Sequence, residues 1–225
     1  MRHRVRAIAT LFVAAALAAC QQATPEPPSG QAGSPRAART TPQGPVVAFL
    51  GDSLTAGYDL PEAQAFPALL GERLAEDGIP IRVINAGVSG DTSAGGLRRL
   101  DWLLTQHPDA VVVELGANDG LRGQPVTQLE ENLREVVEKA RAAGAKVLLL
   151  GMRLPPSYGP LYVRQFEAVY PRVANELKVA FVPFLLEGVA GRAELTLQDG
   201  MHPNAAGHRI VAKNLVPPLR RLLER

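Results

Sequence analysis

The chain has 225 residues, with 24 Lys and Arg against 22 Asp and Glu. Its single cysteine excludes an intrachain disulfide. Three of the arginines lie in residues 1–19, which hold no acidic residue, so the rest carries 21 basic against 22 acidic side chains; with no basic cluster interleaved with aromatics, nothing points to a nucleic-acid partner.

Arg2, Arg4 and Arg6 open the chain, and Ile8 to Ala19 is an apolar stretch too short to span a membrane comfortably. Residues 1–19 therefore read as a signal peptide. The stretch ends in Leu17-Ala18-Ala19-Cys20, which resembles the bacterial lipobox, where the cysteine thiol receives a diacylglycerol before cleavage. The alternative is an ordinary secretory signal with an incidental Cys20. A lone thiol in an exported protein calls for an explanation, and lipidation provides one. Each buried methylene contributes about 0.8 kcal/mol, so two or three chains on Cys20 would hold the protein on a bilayer. Gln21 follows Cys20, and by resemblance to lipoproteins of Gram-negative bacteria this favours the outer membrane, facing the periplasm. Residues 20–45 then form the lipidated cysteine and a linker, whose Pro, Ala, Gln, Thr, Ser and Gly show no apolar period.

Residues 46–225 are long enough for one domain that buries about 70% of its unfolded surface. Short apolar runs predict strands at Val46–Leu50, Ile81–Ile84, Ala110–Leu115, Lys146–Leu150 and Val179–Phe184. They are nearly continuous, as expected of strands covered on both faces. Helical stripes fall between them: Phe66, Leu69, Leu70 and Leu74; then Leu97, Leu100, Leu103 and Leu104; then a stripe from Val126 to Ala140, stopped at Gly144. Phe166, Val169, Tyr170, Val173 and Leu177 predict a helix kinked by Pro171. Ile210 to Leu223 predicts a closing helix interrupted by Pro217-Pro218. Alternation of strand and helix argues for a three-layer α/β/α sandwich around a five-stranded parallel sheet. Pro183, inside the fifth run, requires a sheet edge, which the order 2-1-3-4-5 provides. That order sets strands 2, 1 and 3 side by side, with their carboxyl ends at the switch point where ligands bind.

Four segments carry chemistry: Gly51-Asp52-Ser53-Leu54, Asn85-Ala86-Gly87, Gly116-Ala117-Asn118-Asp119 and Asp199-Gly200-Met201-His202. Ser53 follows the first strand, where a nucleophile or a plain helix cap would both fit. His202 stands before Pro203, a residue suited to a helix first turn. Asp199 lies three residues earlier, able to reach one ring nitrogen and fix the tautomer. His3 lies in the signal segment, His107 precedes Pro108 at a helix end, and His208 reads as structural or exposed. Asn118 and Gly87 can supply an amide N–H and a backbone N–H to an oxyanion, with the Ser53 N–H as a third donor. Their simpler roles are an Asx turn and a turn glycine. Asp52 and Asp119 read as loop buttresses, and Glu114 as a structural polar contact in an apolar strand.

The set resembles the SGNH subgroup of the GDSL hydrolases. Phe49–Tyr58, Val83–Thr92, Glu114–Gly123 and Asp199–Asn204 match its blocks, and the likeness spans nearly all of 46–225. Arg153–Gly159, with Tyr162 and Phe166, resembles the multifunctional thioesterase I/lysophospholipase/arylesterase branch. Ala117 stands where that branch often has glycine. The resemblance implies a flavodoxin-like fold, Ser53 as nucleophile, His202 as base, Asp199 as its partner, and Ser53, Gly87 and Asn118 as oxyanion donors. It implies hydrolysis of small acyl esters, thioesters or lysophospholipids with no metal or organic cofactor. A carbohydrate O-deacetylase of the envelope would use the same machinery, and a non-catalytic lipid-binding lipoprotein would keep only the scaffold. The apolar residues in 154–166 suit an acyl chain, or equally a core.

Overall fold

The computed structural model describes residues 44–224. The signal segment, Cys20 and all but the end of the linker lie outside the described residues. Five strands form one parallel sheet: β1 (Val46–Gly51), β2 (Arg82–Gly87), β3 (Ala110–Glu114), β4 (Lys146–Leu150) and β5 (Ala180–Val182). Their order is β2-β1-β3-β4-β5, as the alternating pattern predicts. β3 is buried throughout and β1 nearly so, whereas the edge strands β2 and β5 are mostly half-buried. Burial on both faces is why the central runs are apolar without alternation.

Among the described residues seven α-helices accompany the strands: α1 (Ser53–Ala56), α2 (Phe66–Glu76), α3 (Ser93–Leu104), α4 (Ala117–Leu121), α5 (Val126–Ala142), α6 (Pro160–Leu177) and α7 (Ala205–Leu223). The crossover from β1 to β2 runs one way along the sheet and the later ones run the other way. Right-handed crossovers therefore place α2 on one face and α3, α5 and α6 on the other. The packing follows: α2 lies against α7, α3 against α5, and α5 against α6. The predicted stripes supply the contacts, with Leu70, Leu74, Leu100, Leu103, Leu129 and Leu133 fully buried. Phe49 and Phe66 meet edge to face at 5.9 Å between β1 and α2.

Three local expectations are corrected. The fifth strand stops at Val182, so Pro183 ends it rather than sitting within it. Beyond the strand, the Leu185 N–H donates to the Gly151 carbonyl at 3.0 Å. α7 continues through Pro217 and Pro218, where the sequence predicts an interruption; α6 runs through Pro171 as the predicted stripe requires. The carbonyls left free in α7, on Lys213 and Asn214, belong to exposed residues that water can satisfy. Finally, α7 begins at Ala205, five residues before the apolar stripe, because Asn204 caps it through Ala206 and Gly207.

Gly51 lies opposite Gly87 on one side and Glu114 on the other. The loops after β1, β2 and β3 therefore leave the sheet together at the switch point.

Candidate active site

Ser53 is placed by its neighbours. The Asp52 carboxylate caps α1, accepting the Leu54 N–H at 3.0 Å. Ser53 is the first residue of that helix, so its N–H has no carbonyl a turn behind it to bond. The turn closes at Gly57, whose φ of 76° is left-handed, and the Ser53 carbonyl accepts from the N–H groups of both Gly57 and Tyr58. A buried serine thus presents its hydroxyl from a rigid one-turn helix.

The hydroxyl meets His202, with Oγ 2.8 Å from Nε2. The other ring nitrogen, Nδ1, is 2.5 Å from the Asp199 carboxylate. Asp199 also accepts the N–H groups of Met201 at 2.9 Å and His202 at 3.0 Å. Burial alone would raise the Asp199 carboxyl. The bonds from the His202 ring and from the two backbone N–H groups outweigh it and hold the carboxyl at about 2. An ionised Asp199 accepts Nδ1–H, which leaves Nε2 as the acceptor for the serine proton. The loop is pinned by a bridge between Thr196 and Pro203, and by Asn204, whose amide donates to Glu194 and Thr196 carbonyls.

Asn118 lies in α4, after β3. Its amide donates to Asp52 Oδ2 at 3.0 Å, and the second amide hydrogen remains for a ligand. Gly116, ahead of it, takes the positive φ, so Ala117 needs no glycine-like freedom. Gly87 ends β2, where a Cβ would overlap the backbone of Ala56. Its N–H donates to Asn85 Oδ1 at 3.0 Å, and Asn85 in turn donates to the Thr55 carbonyl. In this geometry the Gly87 N–H would reach an oxyanion only by sharing itself or leaving Asn85, whereas Ser53 N–H and Asn118 are already available.

Beneath these groups lies a buried polar layer. Glu114 accepts the Asp52 N–H at 3.1 Å and the Thr55 hydroxyl at 2.8 Å, and its Oε1 has no partner. Burial, then repulsion from Asp52, pushes Glu114 well above the carboxylate range. Burial also raises Asp52, against the pull of the Leu54 N–H, Glu114, Asn118 and the His202 charge. Of the two carboxyls, the completely buried Glu114 is pushed further towards its neutral form. Asp119 accepts both the hydroxyl and the N–H of Ser93, and Asn132 donates to the same hydroxyl, fastening α4 to α3 and α5.

Some contributors carry no sequence signal. Arg99 bonds Asp91 and the carbonyls of Gly51 and Ala86, clamping the ends of β1 and β2. Tyr58 stacks on His202. The spacing of a motif cannot reveal contacts made across 144 residues of chain, although Tyr58 does lie inside the first block. Of the other histidines, His107 sits past α3 in a left-handed turn, and His208 is buried, accepting the Phe66 N–H at 3.1 Å. The 154–166 segment divides: Leu154 and Phe166 are core, while Tyr158 and Leu161 are exposed.

A family model for GDSL-like lipases and acylhydrolases matches residues 49–210. The chain is 51% identical to "Esterase TesA" of Pseudomonas aeruginosa over 179 residues, covering 79% of this chain and 89% of that protein. It is 43% identical to "Thioesterase 1/protease 1/lysophospholipase L1" of Escherichia coli, covering 79% and 85%. A crystal structure of TesA superposes with a TM-score of 0.76 and 50% identity, covering 79% of this chain and 99% of that one. The chain belongs to the GDSL-like lipase/acylhydrolase family and is a hydrolase of the SGNH type.

Proposed function

We propose that this SGNH hydrolase cleaves carboxylic esters and thioesters of acyl chains through an acyl-enzyme on Ser53. The observation that carries the reading is the 2.8 Å approach of Ser53 Oγ to His202 Nε2, with Asp199 on the far nitrogen. As Oγ attacks the carbonyl carbon, its proton passes to Nε2. The oxyanion takes hydrogen bonds from the Ser53 N–H and Asn118, and from Gly87 if Asn85 yields it. The intermediate collapses, and the alcohol or thiol leaves with the proton from Nε2. Water then attacks the acyl carbonyl, giving its proton to Nε2; the bond from the acyl carbon to Ser53 Oγ breaks, Oγ takes that proton back, and the acid departs.

The rim supports an acyl substrate. Val88, Leu121, Tyr158, Leu161 and Met201 are exposed apolar side chains in the segments that follow the strands and in the His202 loop. The Tyr158 hydroxyl donates to the Leu121 carbonyl, joining two of these segments. The relatives' names support ester, thioester and lysophospholipid substrates. The amino-terminal signature supports export, lipidation at Cys20 and residence on the outer membrane facing the periplasm.

Hydrolysis of para-nitrophenyl esters of increasing chain length, by the wild-type protein and by Ser53→Ala, tests the reading. Turnover that the substitution abolishes is expected. Equal rates in both proteins would overturn it.

A further inference from the structure

We infer that Tyr58 is a positioning residue for the base: its ring lies on the face of His202, holds the imidazole between Ser53 and Asp199, and stabilises the imidazolium formed when the serine proton is taken. This rests on the proposed role of His202.

The two ring centroids are 4.4 Å apart and the planes meet at 29°, a stacked arrangement. The edges of the imidazole are already committed, Nε2 to Ser53 and Nδ1 to Asp199. Tyr58 therefore supplies what neither polar partner can, a wall against one face that stops the ring turning about its long axis. The wall is itself fixed. The Tyr58 N–H donates to the Ser53 carbonyl at 3.0 Å, one residue past the left-handed Gly57, so nucleophile and wall share one rigid turn. Core packing does not explain the placement, because 47% of Tyr58 is exposed.

The electrostatics point the same way. His202 is faced by Asp199 from its own loop, by Ser53 and Asp52 at the start of α1, and by His208 from α7. Asp199 is the ionised carboxylate in contact, and protonated His208 would repel a second cation, but burial keeps His208 neutral. An aromatic face carries a negative quadrupole and attracts a cation set against it. The attraction strengthens once a substrate covers the site and excludes water. It acts on the imidazolium and not on the neutral ring, so it favours the transition state over the resting enzyme.

The test compares Tyr58→Phe and Tyr58→Leu on para-nitrophenyl acetate, a substrate too short to use a distant acyl contact. Tyr58→Phe keeps the ring and is expected to retain kcat and its pH profile. Tyr58→Leu is expected to lower kcat by about three- to tenfold with little change in KM. It should also move the acid limb of the kcat/KM profile to lower pH, by about half a unit, because the imidazolium has lost a stabilising face. A Tyr58→Leu enzyme with the wild-type acid limb, or one altered in KM alone, would overturn the inference and leave Tyr58 as a substrate contact. Ser53→Ala, measured alongside, separates the two failures: persistent activity there removes the reading of His202 as base, whereas its loss with an unmoved limb in Tyr58→Leu removes only the role of Tyr58.

Discussion

Asn118 divides its amide between two tasks, bonding Asp52 with one hydrogen and leaving the other for a developing oxyanion. Removing such a donor typically costs about 100- to 1,000-fold in kcat. Asn118→Ala is expected to lose that much in steady-state ester hydrolysis, with KM changed by no more than a few-fold, since the bond strengthens as charge develops. A variant that keeps kcat and loses only binding would show that Asn118 is not an oxyanion donor. At this scale the sequence exposes the pairs that are close along the chain. Asp199 and His202 are three residues apart, and the turn between them is closed by the Asp199 carboxylate itself. It hides groups whose meaning depends on distant partners. Asn85 looks like part of a motif, yet it holds the Gly87 N–H and the Thr55 carbonyl. Arg99, within a stripe of leucines, reaches two strand ends.

One contact that joins α7 to α2 is titratable at mildly acidic pH: His208 Nδ1 accepts the first N–H of α2. Burial, with a small push from the His202 charge, lowers His208 to about 4 from its ordinary 6.5. The folded protein thus binds this proton less readily than the unfolded chain. Its stabilising contribution is complete above pH 6.5 and is lost as pH falls from 6.5 towards 4. Its full size is at most about 3 kcal/mol. His208→Asn keeps an acceptor for the Phe66 N–H but cannot titrate, so the difference in melting temperature between wild type and variant should shrink on acidification across that window. A difference that does not vary with pH would contradict the assignment. Element boundaries were less legible than element types. The Val179–Phe184 run overstates β5 because its apolar residues extend beyond the strand at both ends, and only Pro183 marks the stop. The start of α7 lies outside its apolar stripe for the opposite reason: Asn204 fixes it through side-chain capping.

The whole domain was legible because the strand and helix signals alternate without conflict, and right-handed crossovers leave few arrangements for them. The Gly-Asp-Ser-Leu and Asn-x-Gly segments lie at the carboxyl ends of β1 and β2, and Gly-x-Asn-Asp follows β3, so the strand order alone brings them together. The proposed attachment of the molecule to a membrane would rest on Cys20, which lies outside the described residues. If Cys20 is lipidated, the wild-type protein should incorporate labelled fatty acid and sediment with membranes, and Cys20→Ala should do neither. A wild-type protein free of label would contradict the lipid anchor and leave an ordinary secretory signal. The central claim is that Ser53 is the nucleophile, and covalent trapping addresses it directly. An alkyl para-nitrophenyl phosphonate should form one bond from Ser53 Oγ to phosphorus and release one equivalent of nitrophenolate. Mass spectrometry of the digested protein is expected to find the adduct on the peptide containing Ser53, with Ser53→Ala unmodified; inactivation with the phosphonate on any other residue would contradict the account.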